Sequence, residues 1–228
     1  MLARILVVED EPAIQELIAA HLKSAGHIAM AAHDAESAFE MIRQSLPDLI
    51  LLDWMLPGIS GIVFTKTLRK DSRARMIPII MLTAHGTEQN MMLGLESGVD
   101  YFMTKPFSPR ELVSRITALL RRWVPTATDG LVRIGALQLD PNSCRVTANG
   151  ESLALGPTEF RLLYFLMTHL EHVYSRAQLV DNIWGDEVFV DERMVDARMR
   201  GVHQLLKPSG LDRLIEAVRG GGYRMIAT

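Results

Sequence analysis

The sequence predicts an α/β fold: a parallel five-stranded sheet covered by helices on both faces, followed by a second, smaller domain. Short apolar runs alternate five times with stretches whose apolar residues recur every three or four positions, and strands this apolar must be buried on both sides. A polar, Pro- and Gly-punctuated segment, VPTATDG at 124–130, then separates this half from one of different pattern. The expected division is residues 1–123, a linker at 124–130 and a second domain at 131–228.

The first strand is Ile5 to Val8, which stops at Glu9, Asp10 and Glu11. Pro12 then opens a helix with Ile14, Leu17, Ile18 and Leu22 on one face, ended by Gly26. The alternation continues with a strand at His27 to Ala31, a helix over Ala35 to Ser45, and LILLD at 49–53 bounded by Pro47, Pro57 and Gly58. A helix over Ile62 to Lys70 precedes a strand at 77–83, a helix over Glu88 to Ser97, a strand at 99–104 and a helix over Pro109 to Trp123.

In the second half, Val132 to Asp140 and Arg145 to Leu155 read as short strands, the latter turning at Asn149-Gly150. Helices follow over Thr158 to His169, Arg176 to Trp184 and Arg193 to Leu206, and Ser175 with Gln178 forms a capping box for the second. The segment at 217–226 reads as two strands about a glycine turn.

Composition agrees with two modest cores: 228 residues, 48% of them hydrophobic. Cys144 is the only cysteine, which excludes an intramolecular disulfide framework and a Cys-rich zinc site and suits the cytosol. The N-terminus turns acidic too soon for a signal peptide, and no apolar stretch approaches the ~20 residues that span a bilayer. The net charge of -3 gives no hint of nucleic acid.

In an open parallel sheet, reactive groups gather beyond the carboxyl ends of the strands. There the sequence offers Glu9 and Asp10 after strand one, Asp53 after strand three, Thr83 after strand four and Lys105 after strand five. Three carboxylates brought together repel one another unless a hard cation sits among them, and oxygen donors suit Mg²⁺. A divalent ion, a free carboxylate, a hydroxyl and an ammonium are the parts needed to accept a phosphoryl group on Asp53. An Asp-nucleophile phosphatase would usually carry a second Asp two residues later. Met55 stands there, which disfavours turnover and an enzymatic role.

Four motifs, ILVVEDE at 5–11, DLILLDWMLPGISG at 48–61, IIMLTA at 79–84 and MTKPFSPREL at 103–112, closely resemble the receiver domain of bacterial response regulators. The resemblance implies a flavodoxin-like (βα)5 fold with Asp53 as phospho-acceptor, fed by a sensor histidine kinase or by small acyl phosphates. It implies Mg²⁺ held by Asp10, Asp53 and the Met55 carbonyl, with Glu9 reaching it through water. Thr83 would bond a phosphoryl oxygen, and Lys105 would pair with the phosphoryl group before a cis bond to Pro106. Thr83 and Phe102 would form a switch, the ring turning inward as the hydroxyl moves toward phosphate. Relatives often have Tyr where Phe102 stands; a plain core role is the alternative for this ring.

Three helices followed by a glycine-turned hairpin carrying Arg219, Tyr223 and Arg224 is the order of a winged helix, which sets one helix in the major groove of DNA. From Arg193 to Arg224 seven Lys/Arg stand against three Asp/Glu, a local +4. GPTEFRLLYFLMTH, SRAQLVDNIWG, DERMVDARMR and VRGGGYR closely resemble the effector domain of the OmpR/PhoB family, nearest its PhoB branch. The resemblance implies Arg193, Arg198 and Arg200 on the recognition helix, Trp184 and Tyr223 at the DNA surface, and Arg219 entering the minor groove. The loop from Trp184 to Val190 would face the RNA polymerase sigma subunit.

The chain departs from that branch at Met194, Arg198, Gly201 and His203, where Thr, His, Arg and Arg are common. Fewer cations at 201 and 203 predict altered or weaker DNA binding, and leave a protein-interaction regulator as the alternative. In this family the active receiver pairs through the 88–97 helix, the 99–104 strand and the 109–123 helix. Met91, Met92, Leu95, Asp100, Glu111, Arg115 and Arg122 are the expected dimer face, while Met91, Ser97, Tyr101 and Thr117 replace residues often charged in relatives. His169 and His172 lack a third ligand nearby and read as surface histidines.

Overall fold

The computed structural model describes residues 2–84, 94, 97–122, 130–185 and 192–227, although nothing is said of the Arg121 and Arg122 side chains. The chain forms two compact units, Met1–Arg121 and Arg122–Thr228. All of the expected 124–130 linker but Gly130, and most of the expected 88–97 helix, lie outside the described residues.

Unit one is a five-stranded parallel sheet of β1 (Arg4–Val8), β2 (Ile28–Ala32), β3 (Leu49–Asp53), β4 (Ile79–Thr83) and β5 (Tyr101–Thr104), in the order β2-β1-β3-β4-β5. Every residue of β3 and β4 is buried, as central strands covered on both faces require. The described helices are α1 (Pro12–Ser24), α2 (Ala35–Gln44), α3 (Gly61–Lys70) and α4 (Pro109–Arg122). Pro12 occupies the first turn of α1, where its missing N–H is no loss. Asp34 caps α2 by accepting from the Ser37 N–H at 2.7 Å, and Ser60 caps α3. The strand order reverses between β1 and β3, which places the ligand crevice of the sheet at the ends of these two strands.

Unit two opens with a four-stranded antiparallel meander, β6 (Val132–Ile134), β7 (Leu137–Asp140), β8 (Arg145–Ala148) and β9 (Glu151–Leu153). The single strand expected at 132–140 is thus two, because Gly135 takes φ +55° and turns the chain. The expected turn at Asn149-Gly150 is present, with φ +53° and +85°. Helices α5 (Pro157–Thr168), α6 (Arg176–Ile183) and α7 (Arg193–Leu206) follow, and then the hairpin of β10 (Ile215–Val218) and β11 (Gly222–Met225). The capping box of Ser175 and Gln178 is formed on α6. One face of α7, with Val195, Met199, Val202 and Leu206, is buried in the unit's core.

Candidate functional site: an acidic crevice and a basic helix face

Three carboxylates converge where β1 and β3 end. Oxygens of Glu9, Asp10 and Asp53 all lie within 4.8 Å of one another, with Glu9 and Asp53 buried and Asp10 exposed. Lys105, brought in after β5, bridges two of them: its Nζ donates to Glu9 Oε2 at 2.8 Å and to Asp53 Oδ2 at 2.9 Å. One ammonium among three carboxylates leaves a formal excess of negative charge in a partly desolvated pocket.

Burial pushes the Glu9 carboxyl above its ordinary pKa, and nearby Asp53 adds to this, against the opposing effect of Lys105. Burial alone would depress Lys105, but its bonds to Glu9 and Asp53 outweigh that and raise it. Glu9 Oε1 is buried without a hydrogen-bond partner. An orphaned carboxylate oxygen in an all-oxygen, electronegative cluster fits a hard divalent cation such as Mg²⁺.

The surrounding backbone shapes the pocket. The Met55 N–H faces Asp53 Oδ1 at 3.4 Å, while the Met55 side chain is exposed. Thr83 is buried at the end of β4, and its carbonyl accepts the Lys105 N–H at 2.7 Å, ahead of a cis Lys105–Pro106 bond. Two supporting residues escaped the sequence reading. Gln15 donates its amide to the Glu9 carbonyl at 3.2 Å and to the Ala32 carbonyl at 2.9 Å, holding α1 to the end of β1. Gly61 packs so closely that a Cβ there would overlap the Asp53 carbonyl oxygen. The "GISG" glycine was the available signal for this approach.

Phe102 is half-buried and packs on the sheet core beside Trp54, with ring centroids 6.4 Å apart. Gly94 gives it room, since a Cβ there would overlap the ring.

Only part of the expected dimer face lies within the described residues. Met91, Met92 and Leu95, with the Arg122 side chain, lie outside the described residues. Glu111 and Arg115 pair along α4 at 3.7 Å, and the Arg115 guanidinium lies over the Tyr101 ring, 5.5 Å from its centroid. Asp100 is a correction. It is buried, accepts from Arg69 at 2.7 Å and from the Ile79 N–H at 2.9 Å, and so is a structural carboxylate rather than a surface charge.

On α7, Arg193 and Arg200 are exposed, as is Arg219 at the turn of the β10–β11 hairpin. Arg198, expected beside them, is corrected: it is 2% exposed and its Nη1 donates to Glu159 Oε1 at 2.9 Å. Position 198 falls three after Val195 and four before Val202, on the buried stripe. Trp184 is likewise buried, a core ring rather than a surface one. Tyr223 is buried as well, its hydroxyl donating to Asp196 Oδ1 at 2.7 Å. Residues 186–190 of the expected sigma-facing loop lie outside the described residues. The basic margin is therefore thinner than the charge count implied, since Arg224 is also paired, with Glu216 at 2.7 Å. Among the described residues, no helix is long and apolar enough to cross a membrane.

Comparison with known proteins agrees with both units. Residues 5–117 match the response regulator receiver domain, and residues 150–225 match the C-terminal domain of transcriptional regulatory proteins. The phosphate regulon transcriptional regulatory protein PhoB of Escherichia coli (strain K12) is 50% identical over 224 residues, covering 98% of each chain. PhoB of Pseudomonas aeruginosa is 49% identical over 220 residues, covering 96% of each. Among solved structures, the response regulator DrrB of Thermotoga maritima, an OmpR/PhoB homologue, superposes with a TM-score of 0.52 at 26% identity, covering all of both chains.

Proposed function

The chain belongs to the OmpR/PhoB family of two-component response regulators, and from that premise we propose that Asp53 is its phospho-acceptor. It is a phosphorylation-controlled transcription regulator of the phosphate-regulon type, not a classical enzyme, whose domains imply a histidine kinase and DNA as partners. The observation that carries the assignment of Asp53 is the Lys105 bridge from Glu9 to Asp53 at the point where the strand order reverses.

Asp53 attacks the phosphorus in line, forming its O–P bond as the bond to a kinase phosphohistidine nitrogen or an acyl-phosphate oxygen breaks and the leaving group departs with that electron pair. Asp10, Asp53 and the Met55 carbonyl, with Glu9 through water, would hold Mg²⁺, which when bound supplies positive charge against the phosphoryl oxygens. Lys105, aimed by Glu9, is poised to pair with the phosphoryl group. The Thr83 hydroxyl and the Phe102 ring transmit the change, because the added charge is paired in one arrangement and not in the other.

The receiver would pair through Met91, Met92, Leu95, Glu111, Arg115 and Arg122, without the buried Asp100. The promoter is engaged by Arg193 and Arg200 from α7 and Arg219 from the hairpin, with the 184–190 loop toward the RNA polymerase sigma subunit. The reading places the protein in the cytoplasm.

A second reading, weakened or altered operator choice, is favoured by Gly201 on α7 and by the withdrawal of Arg198 to Glu159. Each lost phosphate contact flattens the salt dependence of binding by about 0.9 in log–log slope. Binding-site selection with acetyl phosphate-treated protein is expected to enrich sequences that differ from the direct repeats of the phosphate regulon. Recovery of those repeats at ordinary affinity would remove the altered-operator reading. Enrichment of nothing would remove the DNA-binding function itself.

A further inference from the structure

We propose that Asp196 is a positioning residue that holds the β10–β11 hairpin in register with α7, so that Arg219 and the exposed arginines of α7 meet one DNA duplex together. The proposal rests on reading unit two as DNA-binding, and adds what sets its geometry.

Three elements meet at a single carboxylate oxygen. Asp196 Oδ1, in the first turn of α7, accepts from the Tyr223 hydroxyl of β11 at 2.7 Å and from Arg176 Nε at the start of α6 at 2.8 Å. The Arg176 guanidinium also lies over the Tyr223 ring, 5.4 Å from its centroid. Backbone bonds anchor the same spot: the Tyr174 and Tyr223 N–H groups each donate to the other's carbonyl, at 2.9 and 3.0 Å. Gly222, with φ +116°, permits this, since a Cβ there would overlap the Tyr174 carbonyl.

A two-stranded hairpin is marginal by itself, and among the described residues β10–β11 joins no other named strand. Its orientation therefore depends on what grips its base. The backbone bridge ties the hairpin to residue 174, and the Tyr223–Asp196 hydrogen bond ties it to the helix that carries Arg193 and Arg200. An acid on a DNA-facing helix would repel phosphate. Here Arg176 neutralises it, so the carboxylate serves as a joint without opposing the duplex. Burial and then Asp196 push the Tyr223 phenol up to about 12, so its hydroxyl remains a donor throughout the neutral range.

Two measurements test this on the full chain. In hydrogen exchange, Asp196→Ala and the milder Tyr223→Phe are expected to speed amide exchange across 217–225 by about tenfold while leaving α5 unchanged. Unchanged exchange in the hairpin overturns the proposal whether or not DNA is bound. In a double-mutant cycle on a duplex recovered by selection with the wild type, Asp196→Ala and Arg219→Ala are expected to couple by about fivefold or more, with Asp196→Asn partly restoring Arg219 dependence. Additivity within about twofold overturns it. Failure of the wild type to bind any duplex counts against the DNA-binding reading instead, and the exchange result still decides the role of Asp196.

Discussion

Asp53→Ala is expected to take up no phosphoryl group from acetyl phosphate with Mg²⁺, where the wild type is labelled at that one residue. The reason is chemical: Asp53 is the carboxylate that lies at the end of β3, within 2.9 Å of Lys105 and in contact with the Met55 N–H. Glu9 is committed to Lys105 and its second oxygen is walled in, while Asp10 is not bridged by the ammonium in this arrangement. Removing one of three clustered carboxylates relieves repulsion, so the variant is expected to unfold at least as late as the wild type. Loss of labelling is then separable from loss of fold. Intact-mass spectrometry reads the first and thermal melting the second. Persistent labelling of the variant contradicts the assignment of Asp53.

Glu159→Ala is expected to destabilise unit two by about 3–5 kcal/mol, the cost of leaving a buried charge unpaired. Arg198 is 2% exposed, its Nε and Nη2 already have no hydrogen-bond partner, and Glu159 supplies its counter-charge at 2.9 Å. Arg198→Met, which removes the charge and keeps the apolar stem, should cost much less, and the double variant Glu159→Leu, Arg198→Met should recover most of the loss. Urea unfolding measures all three. A loss below about 1 kcal/mol in Glu159→Ala would mean that the guanidinium turns to solvent, returning it to the DNA-facing set.

The strand ends were legible because burial on both faces forces unbroken apolar runs, and the polar residue that ends each run stands at the crevice. Glu9, Asp10, Asp53, Thr83 and Lys105 were all reached this way. Gln15 was not, because a glutamine inside an amphipathic helix gives no sign that its amide reaches the end of a neighbouring strand. Arg198 and Asp100 were misread for a shared reason. Charged residues are assigned to the surface unless a partner is known, and their partners, Glu159 and Arg69, lie 39 and 31 residues away in sequence. For Arg198 the helical spacing held a warning, since its neighbours at three and four positions are valines of the buried stripe. Tyr223 shows the same limit, for its ring and hydroxyl turn inward to an aspartate 27 residues earlier.

A phosphoryl group on Asp53 is proposed to control engagement of DNA by unit two. The most direct test is the affinity of the full chain for its selected duplex, by fluorescence anisotropy at fixed salt, with and without acetyl phosphate and Mg²⁺. Phosphorylation is expected to tighten wild-type binding by about 5–150-fold, the usual range of coupling between two sites, while Asp53→Ala binds equally in both conditions. Equal affinity of the wild type in the two conditions, with Asp53 labelled to completion, would contradict it.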